Sequence, residues 1–96
     1  MASLIWSPES LDDLGAIAEY LHRASPYYAA SIVDEIVAVV EDIPLMPHLG
    51  PIVPKYRDPN IRERLCHKYR ILYRVGANDI TILTVIHGAR LLPRKL

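Results

Sequence analysis

Several features are scarce in this sequence, and each absence narrows the class of protein. Cys66 is the only cysteine among 96 residues, so the chain can form no internal disulfide and offers no second thiol to a metal, as is typical of a reducing compartment. No run of about 18 apolar residues could span a bilayer. The first residues have neither a charged leader nor an apolar stretch long enough for export. We therefore expect a cytoplasmic protein with no membrane partner.

Motifs for cofactor or metal chemistry are also missing. The four histidines, His22, His48, His67 and His87, show no metal-ligand spacing, and no Ser-His-Asp or Cys-His arrangement is readable. A glycine-rich phosphate loop is absent. We expect neither a cofactor nor a metal site.

The length and composition predict one globular unit. A chain of 96 residues, 51% of them hydrophobic, can bury over about 60% of the surface that its unfolded form exposes. It shows no internal repeat and no long polar tract. We expect a single domain spanning residues 1–96.

The formal net charge of zero hides a strong asymmetry between the halves. Residues 1–50 hold one basic and eight acidic residues, a net charge of −7, whereas residues 51–96 hold ten basic and three acidic residues, a net charge of +7. Such a molecule has an acidic and a basic side, and an anionic partner would dock on the basic side. Alternatively, the two halves neutralise each other across the fold.

Two helices are predicted in the first half. Residues 3–6 form a short β-prone run, and Ser7 followed by Pro8 is a typical helix start. Ser25 followed by Pro26 repeats this signal, so two helices form a hairpin, the second running to about Ile43.

The second half predicts strands. Residues 44–60 are rich in proline and form a connection, after which residues 61–66, 69–75 and 80–87 form three strands of a meander. The order β-α-α-β-β-β predicts an α+β domain whose helical hairpin covers one face of a mostly antiparallel sheet.

The apolar stripe of the second helix is broad, because Val37 and Val39 widen it to roughly 160°. It packs either against both the first helix and the sheet, or presents an exposed shoulder to a partner.

Alternating arginines in two adjacent strands suggest an anion-binding surface. If residues 66–68 form a three-residue turn, Leu65 lies opposite Tyr69 and Arg64 opposite Arg70. The apolar residues then face the helices, and the arginines share the uncovered face, where like charges need an anionic ligand or acidic neighbours. The predicted surface consists of Arg62, Arg64, Arg70 and Arg74, with Arg90 added from the C-terminal stretch.

Many short pieces follow one another along the chain in a characteristic order and spacing. They are Trp6-Ser7, Leu14, Ile17, Tyr20-Leu21, Ser25-Pro26, Ala29, Pro47-x-x-Gly50-x-x-Val53-Pro54, Arg62-Glu63, Tyr69-Arg70-Ile71-x-Tyr73-Arg74 and Ile80-x-Ile82-Leu83-x-Val85-x-His87. Together they resemble the RelE/ParE toxin superfamily, and specifically its ParE-like plasmid-stabilisation branch. The resemblance covers nearly the whole chain.

The resemblance implies the toxin of a type II toxin–antitoxin system that regulates growth. A cognate antitoxin would neutralise it by wrapping a C-terminal segment over the helical hairpin and a sheet edge. We expect that segment to contact Ile17, Tyr20, Val37 and Val39.

The resemblance also implies two alternative targets. ParE-like members inhibit DNA gyrase, whereas RelE-like members cleave messenger RNA in the ribosome. In a nuclease of this kind Arg70 would stabilise charge on the scissile phosphate, Arg64 would assist, and His87 would transfer the proton. The tail ARLLPRKL lacks the usual tyrosine or histidine. We therefore favour a gyrase inhibitor that is not an enzyme, with an endoribonuclease as the alternative.

Overall fold

The chain folds into two helices packed on a four-stranded sheet. A computed structural model describes residues 2–96. The elements are β1 (Ser3–Trp6), α1 (Pro8–His22), α2 (Pro26–Asp42), β2 (Ile61–Cys66), β3 (Tyr69–Val75) and β4 (Asp79–His87), with short 3-10 turns at Ile43–Leu45 and Pro54–Tyr56. This confirms the α+β class and the order β-α-α-β-β-β.

Both helices begin where the sequence predicts. The Ser7 hydroxyl accepts a hydrogen bond from the Ser10 N–H at 3.0 Å and donates one to the Leu83 carbonyl at 3.1 Å. The Ser25 hydroxyl accepts from the Tyr28 N–H at 3.1 Å. Each cap satisfies a backbone donor that the first helical turn leaves free. The cap of α1 also ties the helix start to β4.

The sheet has the strand order β1-β4-β3-β2. β1 pairs with β4 in parallel, and the two remaining pairs are antiparallel. We call the face covered by α1 and α2 the inner face, and the opposite one the outer face. The main core lies on the inner face, where Ile36 and Val40 of α2 meet Ile71, Tyr73 and Ile82 of the sheet.

The predicted register between β2 and β3 is wrong by one residue. The strands join through a two-residue turn, His67 and Lys68, so that Cys66 pairs with Tyr69 and Arg64 pairs with Ile71. His67 adopts a left-handed backbone conformation, φ 54°, which closes this tight turn. A slip of one residue turns every side chain of a strand to the opposite face. Arg62 and Arg64 therefore lie on the inner face.

The sequence analysis predicted that the outer face is uncovered, and this prediction is wrong. Val53, Ile61 and Leu72 are buried there in a second small core, against which Tyr56 and Leu92 pack. The connection and the C-terminal segment thus cover this face. Ile61 is consequently a core residue of the outer face. The prediction that the apolar residues of β2 face the helices is therefore wrong for Ile61.

No helix in the described part of the chain is both long and apolar enough to cross a membrane.

Candidate functional site

A groove of about 730 Å³ opens between the helical hairpin, the β2–β3 turn and the end of β4. Buried Ile32, Tyr69 and Val85 contribute to its floor. Two of the residues predicted to contact an antitoxin, Ile17 and Tyr20, line it, and the side chain of Tyr20 is 70% exposed. An apolar floor with an exposed aromatic residue beside it suits the apolar face of a peptide.

Polar residues line the same groove. His67, Lys68 and Arg90 are exposed along it, and Asp13 also contributes to the lining. The imidazole Nε2 of His67 forms a close contact with the Glu35 carboxylate, which links the β2–β3 turn to α2. The groove therefore combines apolar area with the cationic groups of Lys68 and Arg90, which can meet acidic side chains.

His87 lines this groove and contacts two nearby residues, Tyr69 and Ala89. Its ring meets Tyr69 edge to face, with centroids 5.6 Å apart and planes at 85°. The Ala89 N–H donates to His87 Nδ1 at 3.0 Å. Burial raises the pKa of the Tyr69 phenol, and the neighbouring Tyr28 and Tyr20 add to this rise. His87 thus helps to form one end of the groove.

The other two members of the nuclease hypothesis are placed elsewhere. Arg70 lies on the outer face, since it pairs with Leu65 in the register, whereas Arg64 and His87 share the inner face. Arg64 lies on β2 and His87 on β4, and β3 lies between these two strands. The axes of β2 and β4 are therefore about 10 Å apart. The structure does not bring Arg70, Arg64 and His87 together.

Arg70 is engaged by a carboxylate. Its Nε and Nη2 donate to the two carboxylate oxygens of Glu63, both at 2.7 Å, with side chains 25% and 13% exposed. Glu63 is the diagonal neighbour of Arg70 on the outer face, because Leu65 stands directly opposite Arg70. The hydrogen bonds to Glu63 raise the pKa of Arg70 above its usual value. In the predicted register, Glu63 would have shared the face of Leu65, away from Arg70.

Arg62 and Arg64 hold the end of α2 and the following loop. The Arg62 Nη1 donates to the carbonyls of Gly50 at 2.9 Å and His48 at 3.2 Å. Arg64 Nη2 donates to the Asp42 carboxylate at 3.3 Å. These contacts explain why cations occupy inner-face positions at the edge of the sheet.

The remaining arginines are more exposed. Arg74 Nε lies 4.0 Å from an Asp58 oxygen, and its side chain is 45% exposed. Arg90 is exposed and lines the groove, away from Arg74 at the far end of β3. The predicted grouping of these arginines on one uncovered face is therefore wrong; whether any of them binds an anion stays a prediction.

The two valines predicted as antitoxin contacts are half-buried. Val39 packs against the main core, whereas Val37 lies on the other flank of the α2 stripe. The first explanation of the broad stripe, packing on two neighbours, accounts for Val39. The groove itself was missed, because its walls come from four elements whose packing no local pattern reports.

Comparison with known proteins supports this architecture. Residues 4–92 match the model of a family described as the ParE toxin of the type II toxin–antitoxin system parDE. A solved structure of the chromosomal ParDE system from P. aeruginosa is similar at 27% identity and a TM-score of 0.76, covering 91% of this chain and 96% of that one.

Two solved structures from Staphylococcus aureus share the fold. The YoeB dimer has a TM-score of 0.59 at 20% identity, covering 86% of this chain and 92% of that one. The YoeB-YefM complex has a TM-score of 0.55 at 18% identity, covering 88% and 94%. No curated protein sequence matches this chain.

Proposed function

The chain belongs to the ParE toxin family of type II toxin–antitoxin systems, and from this premise we propose that it inhibits DNA gyrase in the cytoplasm and is neutralised by a cognate antitoxin. One observation carries the choice of a binding protein over a nuclease. Cleavage by the 2′-hydroxyl needs a base near the cations that stabilise the phosphate. Arg70, Arg64 and His87 are separated by the sheet or by its width, and Arg70 is occupied by Glu63.

A supercoiling assay tests the target. Purified toxin, added in increasing ratio to gyrase and relaxed plasmid, should reduce supercoiling or accumulate cleaved plasmid. The toxin premixed with its antitoxin is the control and should leave supercoiling intact. Full supercoiling at a stoichiometric excess of free toxin would contradict the proposal.

The messenger RNA endonuclease remains the second candidate, because Arg70 matches the catalytic arginine of the RelE branch. Primer extension on messages from expressing cells would then give codon-phased cuts that vanish with Arg70→Ala. Glu63→Ala is the informative companion variant. It frees Arg70 of its carboxylate partner, so cleavage by a nuclease should survive or rise.

We place the antitoxin in the groove between the helices and the end of the sheet. Its apolar floor and cationic lining suit an amphipathic segment whose acidic residues face Lys68 and Arg90. Ile17 and Tyr20 serve as contacts there, and Val37 and Val39 lie along the flanks of α2. This supports the wrapping mode that the family resemblance implies.

Two tyrosines provide a matched test of this surface. Tyr20 lines the groove, whereas Tyr27 is 88% exposed and is not among the groove residues. Tyr20→Ala should weaken antitoxin binding about 10- to 30-fold, as expected for a central aromatic contact, and Tyr27→Ala should change it less than about threefold. Isothermal titration with the purified antitoxin gives both numbers. Equal effects of the two substitutions would place the antitoxin elsewhere.

A further inference from the structure

A second cationic surface lies on the outer face, and four of its five members are outside the predicted arginine set. The 3-10 turn Pro54–Tyr56 and the C-terminal segment 91–96 cross this face side by side. Their exposed cations, together with Arg74 at the C-terminal end of β3, form what we call the outer basic patch. Its members are Lys55, Arg57, Arg74, Arg94 and Lys95.

Specific contacts hold the two irregular segments together. Lys55 Nζ donates to the Leu92 carbonyl at 2.9 Å, and the Tyr56 hydroxyl donates to the Pro93 carbonyl at 2.6 Å. The Leu92 side chain packs into the outer-face core. Because both segments are anchored, the backbone that carries these cations lies on one surface before any partner binds, which lowers the entropic cost of binding.

Little negative charge balances the patch. Among residues 2–96, Asp58 is the only carboxylate in contact with any of its members, at 4.0 Å from Arg74. It also accepts the Asn60 N–H at 2.8 Å in a local turn. Glu63 on the same face is already paired with Arg70. Asp79, two residues before the Thr81 that pairs with Arg74, also lies on the outer face. Counting side chains, five cations against Asp58 and Asp79 leave a charge of +3. The acidic residues of the helices, such as Asp34 and Glu41, are exposed on the other side of the sheet.

We propose that the outer basic patch binds the phosphate backbone of double-stranded DNA. Lysine and arginine neutralise phosphates and release condensed counterions, and such contacts require no base recognition. Sites for single strands add exposed aromatic rings on which bases stack. The aromatic residue next to the patch, Tyr56, is half-buried with its hydroxyl occupied, so a stacking surface is missing from this region. The inference rests on charge and geometry and does not depend on gyrase being the target.

The test measures binding of the full-length chain to a fluorescent 20-base-pair duplex by polarisation, from about 20 to 200 mM salt. The logarithm of the association constant should fall with the logarithm of salt concentration, with a slope between about −3.6 and −4.5 for four or five phosphate contacts. Arg94→Gln/Lys95→Gln should make the slope shallower by about 2 and weaken binding about 10- to 30-fold at low salt.

A control variant matches this loss of charge. Arg23→Gln/Lys68→Gln removes two exposed cations from α1 and the β2–β3 turn, outside the patch. At 0.1 M salt it should change duplex binding less than about twofold, because screening there confines the effect of a charge to about 10 Å. Circular dichroism confirms that both variants are folded.

Several results would overturn the proposal. These are an equal loss of binding in the two double variants, no binding at the lowest salt, and tighter binding to the single strand or to duplex RNA of the same sequence. Tighter binding to a glutamate-rich peptide of equal charge would assign the patch to an acidic protein instead.

Discussion

At the scale of single residues, the pair Arg70 and Glu63 shows how one contact changes the meaning of a motif. The arginine that family resemblance marks as catalytic is bound at two points by a carboxylate, and both side chains are largely shielded from water. A charge in such a place depends on its partner, since removing one member leaves the other buried and unpaired. A loss of activity on substituting Arg70 therefore has a structural as well as a catalytic explanation.

A double-mutant cycle on this pair measures its structural contribution. We expect Arg70→Ala and Glu63→Ala each to lower the free energy of unfolding by about 1–3 kcal/mol, because each leaves an unpaired charge. The double variant should lose less than the sum of the two, giving a coupling of about 1–3 kcal/mol. Urea denaturation at neutral pH measures all four proteins. Additive losses would show that the pair contributes no net coupling.

Gly50 is the second residue whose identity the fold requires. A Cβ atom there would collide with the Glu63 carbonyl and would lie 2.6 Å from the Tyr73 hydroxyl. Since the nearest obstacle is strand backbone, the loop must move, and we expect Gly50→Ala to cost about 1–3 kcal/mol.

Gly15 serves as the control for that substitution. A Cβ atom at Gly15 meets nothing within 4 Å, and the residue lies in the interior of α1. Gly15→Ala should raise the free energy of unfolding by about 0.5–1 kcal/mol, because alanine favours the helix. Thermal denaturation of both variants should therefore give shifts of opposite sign. A stable Gly50→Ala protein would mean that the loop is not held against β2.

At the scale of elements, the helix starts depend on residues that are neighbours in sequence, whereas the β2–β3 hairpin also depends on distant residues. Each helix begins with a serine cap and a proline, which are neighbours in sequence. The hairpin depends on a left-handed residue, His67, and on which face buries Ile61. The sequence neighbours therefore determine where each helix begins, and long-range packing determines the register of the hairpin.

The two helix caps are expected to differ in strength. Ser7 both caps α1 and donates to the Leu83 carbonyl, whereas Ser25 makes only its cap contact and lies at an exposed site. Ser7→Ala should cost about 1.5–3 kcal/mol, and Ser25→Ala about 0.5–1 kcal/mol. Chemical denaturation of the two variants provides the comparison. A larger loss for Ser25→Ala would contradict the role of Ser7 in joining α1 to β4.

At the scale of the whole molecule, the chain has a core on each face of one sheet and charge of opposite sign on the two sides. The helices carry exposed carboxylates, and the outer face carries the outer basic patch. The contacts between Arg64 and Asp42 and between His67 and Glu35 join the two halves only along the edge strand and its turn. The neutralisation of one half by the other is therefore partial, which leaves a polar molecule.

Burial in the two cores should make the fold sensitive to alkali. Burial raises the pKa of Tyr73 on the inner face and of Tyr56 on the outer face above the usual value of 10.0. The folded protein then holds these protons more tightly than the unfolded chain does. The resulting stability is fully present below about pH 10 and is lost as the pH rises through the folded-state pKa values.

Tyr73→Phe tests this expectation. The variant should be about 1 kcal/mol less stable at pH 7, since it loses the hydrogen bond to the Pro47 carbonyl, and its stability should decline less steeply above pH 10. Tyr27→Phe, at an exposed site, should follow the wild-type curve. Urea midpoints measured between pH 7 and 11 give these curves. Parallel curves for Tyr73→Phe and the wild type would contradict a raised pKa at Tyr73.

The elements, their order and the separation of charge follow from the sequence. Caps, prolines and alternation are local signals, so Ser7 and Ser25 cap the two helices as predicted, and β2 and β3 have the predicted bounds. Ile17 and Tyr20, which were predicted as antitoxin contacts, both line the groove, and their contact with an antitoxin stays a prediction.

The face that each arginine occupies depends on the tertiary structure, because the strand register places it there. When both faces of a sheet bury apolar residues, alternation is compatible with two registers, and a slip of one residue exchanges the faces. The second core beneath Leu92 and the tight turn at His67 select the register in which Glu63 meets Arg70. These are contacts between segments distant in sequence, and a periodic pattern within one segment carries no information about them.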